Sequence, residues 1–468
     1  MTVRLHNTLT KKVEDFAPRD SAKVQLFVCG PTVYDLSHLG HAKTYVQMDV
    51  LARVLRYNEY NVFYLQNITD IDDKIIARAH ENNIDWQDLR TNFQDEYVKD
   101  MQSLNNTSVT EYARATDYIP DILRQVTRLI DKGNAYTIEG DGIYFEISTF
   151  PDYGKLSGRT KIKKDDSESR IDQSNNKRGW NDFCLWKFSK PGEPVWDAPF
   201  GVGRPGWHIE DTAITEHVFG PQYDIHGGAV DLIFPHHEAE ITQMESASGK
   251  VPFVGYWVHT GFLTIEGEKM AKSVENFYTI REIIEKGYDP LAIRLFMLHS
   301  HYRSRINFTF TNLDAAANRL TNWRSIAALR HQTHDTLRND NDKDTDERTV
   351  SLYATTHALK QALSNDLDTP AGLAIIDDAF SRLENSLLKD IHQHALNELL
   401  QAIDDMLGVN LLPSTPDISD ATKRHIIERE QARKKKDFKT ADHLRSEIEK
   451  SGITVRDTAH GPIWEYVS

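Results

Sequence analysis

Cysteine is nearly absent from this chain of 468 residues, which holds two, at positions 29 and 184. So few exclude a disulfide framework and suit a reducing compartment, read here as the cytoplasm. Long apolar runs are missing as well. None approaches the ~20 residues that cross a bilayer, so no membrane partner is expected. The opening "MTVRLHNTLTKKVEDF" lacks the basic-then-apolar layout of a secretion leader. Positive charge is in deficit, with 55 Lys and Arg against 70 Asp and Glu and a formal net charge of −15. That balance excludes non-specific wrapping of nucleic acid, which draws on dense Lys and Arg. It reverses locally, because residues 421–450 hold ten Lys or Arg against six Asp or Glu. Taken alone, the basic stretch reads equally as a solvated helix face or as a nucleic-acid contact.

The length calls for three or four units. In the first third, "VQLFVCG", "TYVQMDVLARVLRYN" and "NVFYLQNITDIDDKIIARAHEN" alternate β-rich and helical patterns, the rhythm of a doubly wound parallel α/β sheet. The pattern turns mixed after about residue 115 and resumes near residue 196, so the expected divisions are a sheet domain over 1–115 and 196–265 with an insertion at 116–195. A loop region follows over 266–310. Helical spacing then runs over 311–420, broken by the polar stretch "HQTHDTLRNDNDKDTDERTV". The end, 421–468, is small and mixed, a basic helix followed by short strands.

Two short stretches carry candidate chemistry. In "SHLGHAK", after the first sheet strand, His38 and His41 fall on one helix face near an N-terminus whose free N–H groups attract phosphate, with Gly40 letting a nucleotide approach the backbone. Capped or core histidines explain an isolated H-x-x-H equally well. In "IEGEKMAKSVENFYTI", Lys269 and Lys272 stand three apart behind Gly267, a possible hinge, and paired ammonium groups on a movable loop suit a departing pyrophosphate.

Together these stretches resemble the HIGH and KMSKS signatures of class I aminoacyl-tRNA synthetases. The surrounding "FVCGPTVYD", "NITDIDDKI", "GRPGWHIE", "YDIHGGAVDLIFPHHEAE" and "HYRSRINF" are similar to the cysteinyl-tRNA synthetase family, from near residue 20 to the C-terminus. The resemblance implies a Rossmann-like catalytic domain whose insertion contacts the acceptor end of tRNA, a loop and stem-contact region, an α-helical bundle that binds tRNA, and an anticodon-reading end. It implies the partners tRNA(Cys), L-cysteine and ATP with Mg²⁺; separately, the balanced exterior and self-contained domains suit a monomer.

The resemblance also assigns residues. Zinc, one ion per chain, falls to Cys29, Asp211, His236 and Glu240, and it takes the substrate thiolate. His236 and Glu240, four apart on one helix face, are spaced to reach one ion, with Pro235 in the first turn and His237 and Glu238 pointing elsewhere. The family pattern has cysteine where Asp211 stands, "HIEC" rather than "HIED". A carboxylate is still a zinc ligand at ~2.0–2.2 Å, so metal retained with altered affinity is expected. Without the resemblance, Cys29 reads as a small buried apolar residue. Gly30, Thr32, Thr69 and Trp207 are implied to line the amino-acid pocket, although Trp207 reads equally as a core aromatic. The roles of His208, His237 and His259 stay open.

His38, Gly40, His41, Gly227, Asp231 and Lys272 are implied to meet ATP, with His226 and Gly228 of "HGG" near the adenosine. His38, His41, Lys269 and Lys272 are implied to act on the departing pyrophosphate, and Ala271 replaces the usual serine of that loop. At the C-terminal end, Arg433, Phe438, Asp442 and Asp457 match the anticodon-reading positions. An aromatic for stacking and carboxylates for base amino groups suit single-stranded RNA, while Phe438 reads equally as an anchor to the terminal strands. Two rivals remain open at this point: a cysteine:amino-sugar ligase of mycothiol biosynthesis, which needs no anticodon-reading tail, and an inactive RNA-binding paralogue.

Overall fold

A computed structural model describes residues 2–159, 174, 176–270, 276–339, 347–458 and 461–466. Lys272 and Ala271 lie outside the described residues, as does part of the acidic stretch at 331–348. The chain forms two compact units, residues 1–286 with 302–307, and residues 287–301 with 308–468.

The first unit opens with an antiparallel hairpin, β1 (Arg4–Asn7) and β2 (Lys12–Asp15), and continues into β3 (Val24–Val28), α1 (Leu39–Tyr57), β4 (Val62–Ile68), α2 (Asp73–Asn82), α3 (Trp86–Ser103) and β5 (Glu111–Arg114). Then come α4 (Ile119–Asp131), β6 (Ala135–Ile138), β7 (Gly142–Phe145), β8 (Phe183–Phe188), β9 (Gly203–Pro205), α5 (Trp207–Phe219), β10 (Tyr223–Ala229), α6 (His236–Ser248) and β11 (Val254–Thr260). Strands β11-β10-β3-β4-β5, in that order, form a parallel five-stranded sheet. The chain winds outward in both directions from the β3–β10 pair, whose carboxyl ends form the switch point where ligands of such sheets bind. The mixed segment between the halves is an antiparallel sheet, β6-β7-β8-β9, which runs past residue 195 to Pro205. Beyond β11, β12 (Leu263–Ile265) pairs with β13 (Glu268–Lys269) through a turn holding Gly267 at φ +84°, and α7 (Ile280–Glu285) follows behind a Thr279–Glu282 capping box.

Helix α1 is buried on almost every side, as expected of a helix covered by a sheet and its neighbours. Helices α5 and α6 are also buried, but they are polar. Gln243 of α6 donates to the carbonyl of His208 and to the Thr212 hydroxyl of α5 (2.9 Å), and Thr212 donates to Gln125 of α4 (2.6 Å). Such a network locks three helices in register only because its members are paired.

The second unit begins with α8 (Pro290–Leu298), α9 (Phe310–Ala327), α10 (Glu347–Ser364), α11 (Thr369–Glu384), α12 (Gln393–Leu407) and the short α13 (Leu411–Ser414). Its end is a helical hairpin, α14 (Asp420–Lys434) and α15 (Phe438–Lys450), closed by an antiparallel pair, Ile453–Thr458 and Gly461–Tyr466. Trp464 is fully buried among Ile426, Ile448, Ile453 and Val455, and its indole N–H donates to the His331 carbonyl (3.1 Å).

At the site end of the sheet, β3 and β4 approach so closely that a Cβ on Gly30 would lie 1.7 Å from the Asn67 carbonyl oxygen. Gly30→Ala is therefore expected to destabilise the first unit by about 3 kcal/mol, read as a lowered urea midpoint. An unchanged midpoint would contradict this packing.

Candidate active site

The two histidines of "HLGH" meet at the N-terminus of α1. His38 is its N-cap, with φ −101° and ψ 168°, and its Nδ1 accepts from the His41 N–H at 3.3 Å. The rings stack with centroids 3.7 Å apart. A Cβ on Gly40 would sit 2.9 Å from the His38 ring and 3.4 Å from Met270 Cε, so this glycine lets the "HLGH" turn and the "EKM" segment come together. Burial, and then His38, hold the His41 pKa well below its ordinary value. The His41 ring is thus available as a neutral donor at a helix N-terminus, where anions are favoured. Gly227 lies against α1, since a Cβ there would be 2.8 Å from Met48 Sδ. Asp231 and Lys269 are exposed.

Beside this cradle lies the pocket expected for the amino acid. Thr32 and Thr69 pair as a parallel backbone bridge, with Thr69 N–H donating to Pro31 (3.1 Å) and Val33 N–H to Thr69 (3.2 Å). The Thr69 hydroxyl donates to buried Glu210 (3.0 Å). Trp207, half-buried rather than a core residue, stacks on His236 with centroids 4.1 Å apart.

Behind Trp207, three side chains converge on one ring nitrogen of a fourth. From His236 Nε2, Cys29 Sγ is 3.6 Å away, Asp211 Oδ2 3.2 Å and Glu240 Oε1 2.9 Å. All four residues are at most 5% exposed. Ligand atoms arranged tetrahedrally about a zinc-sized ion lie about 3.3–3.7 Å apart, and these separations are close to that. Among the described residues neither Glu240 oxygen has an aligned hydrogen-bond partner, although His236 Nε2 and His226 Nδ1 stand 2.9 and 3.4 Å away. Cys29 and Asp211 both lie at hydrogen-bond distance from His236 Nε2, but one imidazole nitrogen cannot serve the two of them and Glu240 as well, so the three fit a common centre. The donors present fit a divalent ion: Asp211, His236 and Glu240 bring ligand atoms within 4.8 Å of one another, and Cys29 does so with His236 and His237.

The extra histidines support this cluster. His236 Nδ1 meets His208 Nδ1 at 2.7 Å, which leaves Nε2 turned to the cluster. Tyr223 OH meets His226 Nδ1 at 2.7 Å, and Thr8, His259 and His237 form a chain with steps of 2.8 Å each. His237 does not point away, as its place on α6 suggests. One of its ring nitrogens lies within 4.8 Å of Cys29 and His236 ligand atoms. Helix α6 is buried on nearly all sides, so a direction away from His236 still ends in the interior. Glu238 does point elsewhere, accepting from the Leu156 and Ser157 N–H groups. Pro235 is the N-cap of α6, one place before the first turn.

Sequence reasoning missed Asn67 and Tyr223. Asn67 lies inside the quoted "NITDIDDKI", two residues before Thr69, and donates to Asp211.

In the second unit, Phe438 is 63% exposed at the start of α15, so it does not anchor the terminal strands. Asp442 and Arg433 are also exposed. Asp457 is gripped by Arg429 (3.1 and 3.2 Å) and by Arg433. The hydrogen bond from Arg429 holds its carboxyl below the usual range. Two arginines thus occupy both oxygens of one of the expected acceptors.

This fold and this cradle define a class I aminoacyl-tRNA synthetase. Residues 15–318 match the family described as tRNA synthetases class I (C) catalytic domain, and residues 415–464 match the cysteinyl-tRNA ligase anticodon binding domain. The chain belongs to the cysteinyl-tRNA ligase family. It is 42% identical over 465 residues to a cysteine–tRNA ligase of Thermoplasma acidophilum, covering 99% of this chain and 100% of that one. It is 39% identical over 489 residues to that of Thermococcus onnurineus, covering all of both. In fold it is similar to Mycobacterium tuberculosis methionyl-tRNA synthetase in complex with methionyl-adenylate, with TM-score 0.62, 15% identity, and 83% and 92% of the chains covered. An Agrobacterium radiobacter LeuRS in a ternary complex gives TM-score 0.62 at 9% identity, over 86% of each chain.

Protonation bears on the cluster. Burial raises the Cys29 thiol well above its ordinary value, with Asp211 and Glu240 adding to the shift. Burial also raises Glu240 to about 8, against the pull of His236. It disfavours charged His236, but Glu240 and Asp211 outweigh it and raise the histidine to about 9. Both groups hold protons in the metal-free folded state that the unfolded chain has lost. The stability contributed by His236 is complete below its unfolded value of 6.5 and lost as pH rises through about 9. That from Glu240 is complete below 4.5 and lost through about 8. A divalent ion displaces these protons. The gain in Tm on supplying the metal to chelator-treated protein is therefore expected to be several degrees larger at pH 9 than at pH 6.5. A gain that shrinks across this window would contradict the assignment.

Proposed function

We propose that this chain selects its amino acid with a zinc ion held by Cys29, Asp211, His236 and Glu240, and that the residues matched above act where the family pattern puts them. The convergence of three acidic donors on His236 Nε2, beside the His38–His41 cradle, carries the reading. The chain joins L-cysteine to tRNA(Cys) at the expense of ATP, as its family membership supports. The anticodon-binding match favours tRNA over an amino sugar as acceptor.

Zinc, when bound, supplies a soft Lewis acid that prefers the substrate thiolate to a serine hydroxyl. Gly30, Thr32, Thr69 and Trp207 hold the rest of the amino acid, so that its carboxylate faces the α-phosphate of ATP. In-line attack gives cysteinyl-adenylate and pyrophosphate. His38 and His41 donate to the leaving phosphates, Lys269 and Lys272 neutralise them, and Mg²⁺ arrives with ATP. Gly40, Gly227 and Asp231 seat the nucleotide. The terminal ribose hydroxyl of tRNA, the 2′-OH on the class I pattern, then attacks the activated carbonyl and AMP leaves.

In the second unit, Phe438 stacks on a base, Arg433 meets the backbone and Asp442 accepts from a base amino group. Asp457 holds Arg433 in place. The divisions expected from the sequence carry their expected tasks, with acceptor-end contact at the insertion. No helix among the described residues is long and apolar enough to cross a membrane, and both cysteines are free thiols. A cytoplasmic monomer is part of the same reading.

The test is ATP–pyrophosphate exchange with cysteine and with serine, alongside zinc content. One zinc per chain is expected, with serine slower than cysteine by at least about 10³-fold, beyond the ~1–3 kcal/mol that packing supplies. Comparable rates, or no zinc, would overturn the selection. Arg433→Glu is expected to lower tRNA charging by about tenfold or more, the ~1–3 kcal/mol of a lost contact, with cysteine-dependent exchange unchanged. Normal charging would remove Arg433 from the tRNA site.

A further inference from the structure

Asn67, the penultimate residue of β4, is completely buried. Strand alternation turns it and Gln66 to opposite faces of the sheet. Gln66 accepts from Tyr97 OH of α3 (2.8 Å), while Asn67 faces α5. Its amide is fixed at both ends. The carbonyl oxygen accepts from the Gly30 N–H, and the amide nitrogen donates to Asp211 Oδ1. The orientation is dictated by chemistry, because a backbone N–H can only donate and a carboxylate can only accept. With Oδ1 engaged, Asp211 Oδ2 is the oxygen left 3.2 Å from His236 Nε2.

A thiolate presents a single donor atom and needs only to be placed. A carboxylate has two oxygens that exchange by rotation, so unless one is tied it can swing out of the cluster or offer both oxygens at once. We infer that Asn67 is a positioning residue that ties Asp211 Oδ1 and so makes Asp211 a one-oxygen ligand. The inference rests on the zinc reading above.

Its test is the zinc affinity of the full chain, measured by competition with a chromophoric chelator and therefore independent of catalysis. Asn67→Ala is expected to lower affinity by about 10–100-fold, the usual loss when a group behind a metal ligand is removed. In the Asp211→Cys background the same change is expected to cost less than about threefold, since a thiolate has no second atom to be tied. Equal losses in the two backgrounds would overturn the inference and leave Asn67 a packing residue, and no loss in the Asp211 protein would overturn it outright. Should Asn67→Ala fail to fold, Asn67→Asp keeps the shape and the acceptor for Gly30 but removes the donor. It is expected to lower affinity at least tenfold, and unchanged affinity in it would again overturn the inference. Parent protein that takes up no zinc would instead sink the zinc reading, and this inference with it.

Discussion

Three acidic groups, Cys29, Asp211 and Glu240, are buried around one imidazole nitrogen. Placing that much potential negative charge out of water is costly unless a cation or protons neutralise it. The raised positions of Cys29, Glu240 and His236 express that constraint in the metal-free state. Much of the first unit can be understood as holding it. Polar helices α5 and α6 are buried with Asp211, His236 and Glu240 on them, and their glutamine and threonine side chains pair so that the burial is tolerable. The sheet contributes Cys29 from the end of β3 and the clamp at Asn67 from β4.

The cluster and the phosphate cradle share one place because both grow from the β3–β10 switch point. Cys29 follows β3, and the loop it opens leads directly to His38 and α1. Gly227 of β10 lets α1 approach. On the proposed reading, a substrate whose sulfur is held at one end of this cleft presents its carboxylate toward the other, where the nucleotide would sit. Selection and activation are then, on that reading, two ends of one geometry.

Much of this was legible in the sequence. The β-α-β rhythm located the sheet and its interruption, and the "HLGH" spacing located the cradle. The four candidate ligands came from the family resemblance, two of them with the four-residue spacing of a helix face. What escaped lies in contacts between distant segments. Tyr223, Thr8 and Asn67 gain their meaning only from partners far along the chain, and no local pattern announces them. His237 was misread because facing away from a neighbour means solvent only on a surface helix, and α6 is not one. Asp457 looked like a free acceptor, yet Arg429 and Arg433, one helical turn apart, both reach it, a pairing that their spacing could have suggested.

Zinc-edge X-ray absorption on the full chain, with and without cysteine, bears most directly on the claim that the ion recognises the substrate by its sulfur. The account predicts one sulfur in the metal's coordination shell without substrate, from Cys29, and two once cysteine is added, with serine leaving the count at one. A sulfur count that cysteine does not change, or an absorption edge showing no bound metal, would contradict it.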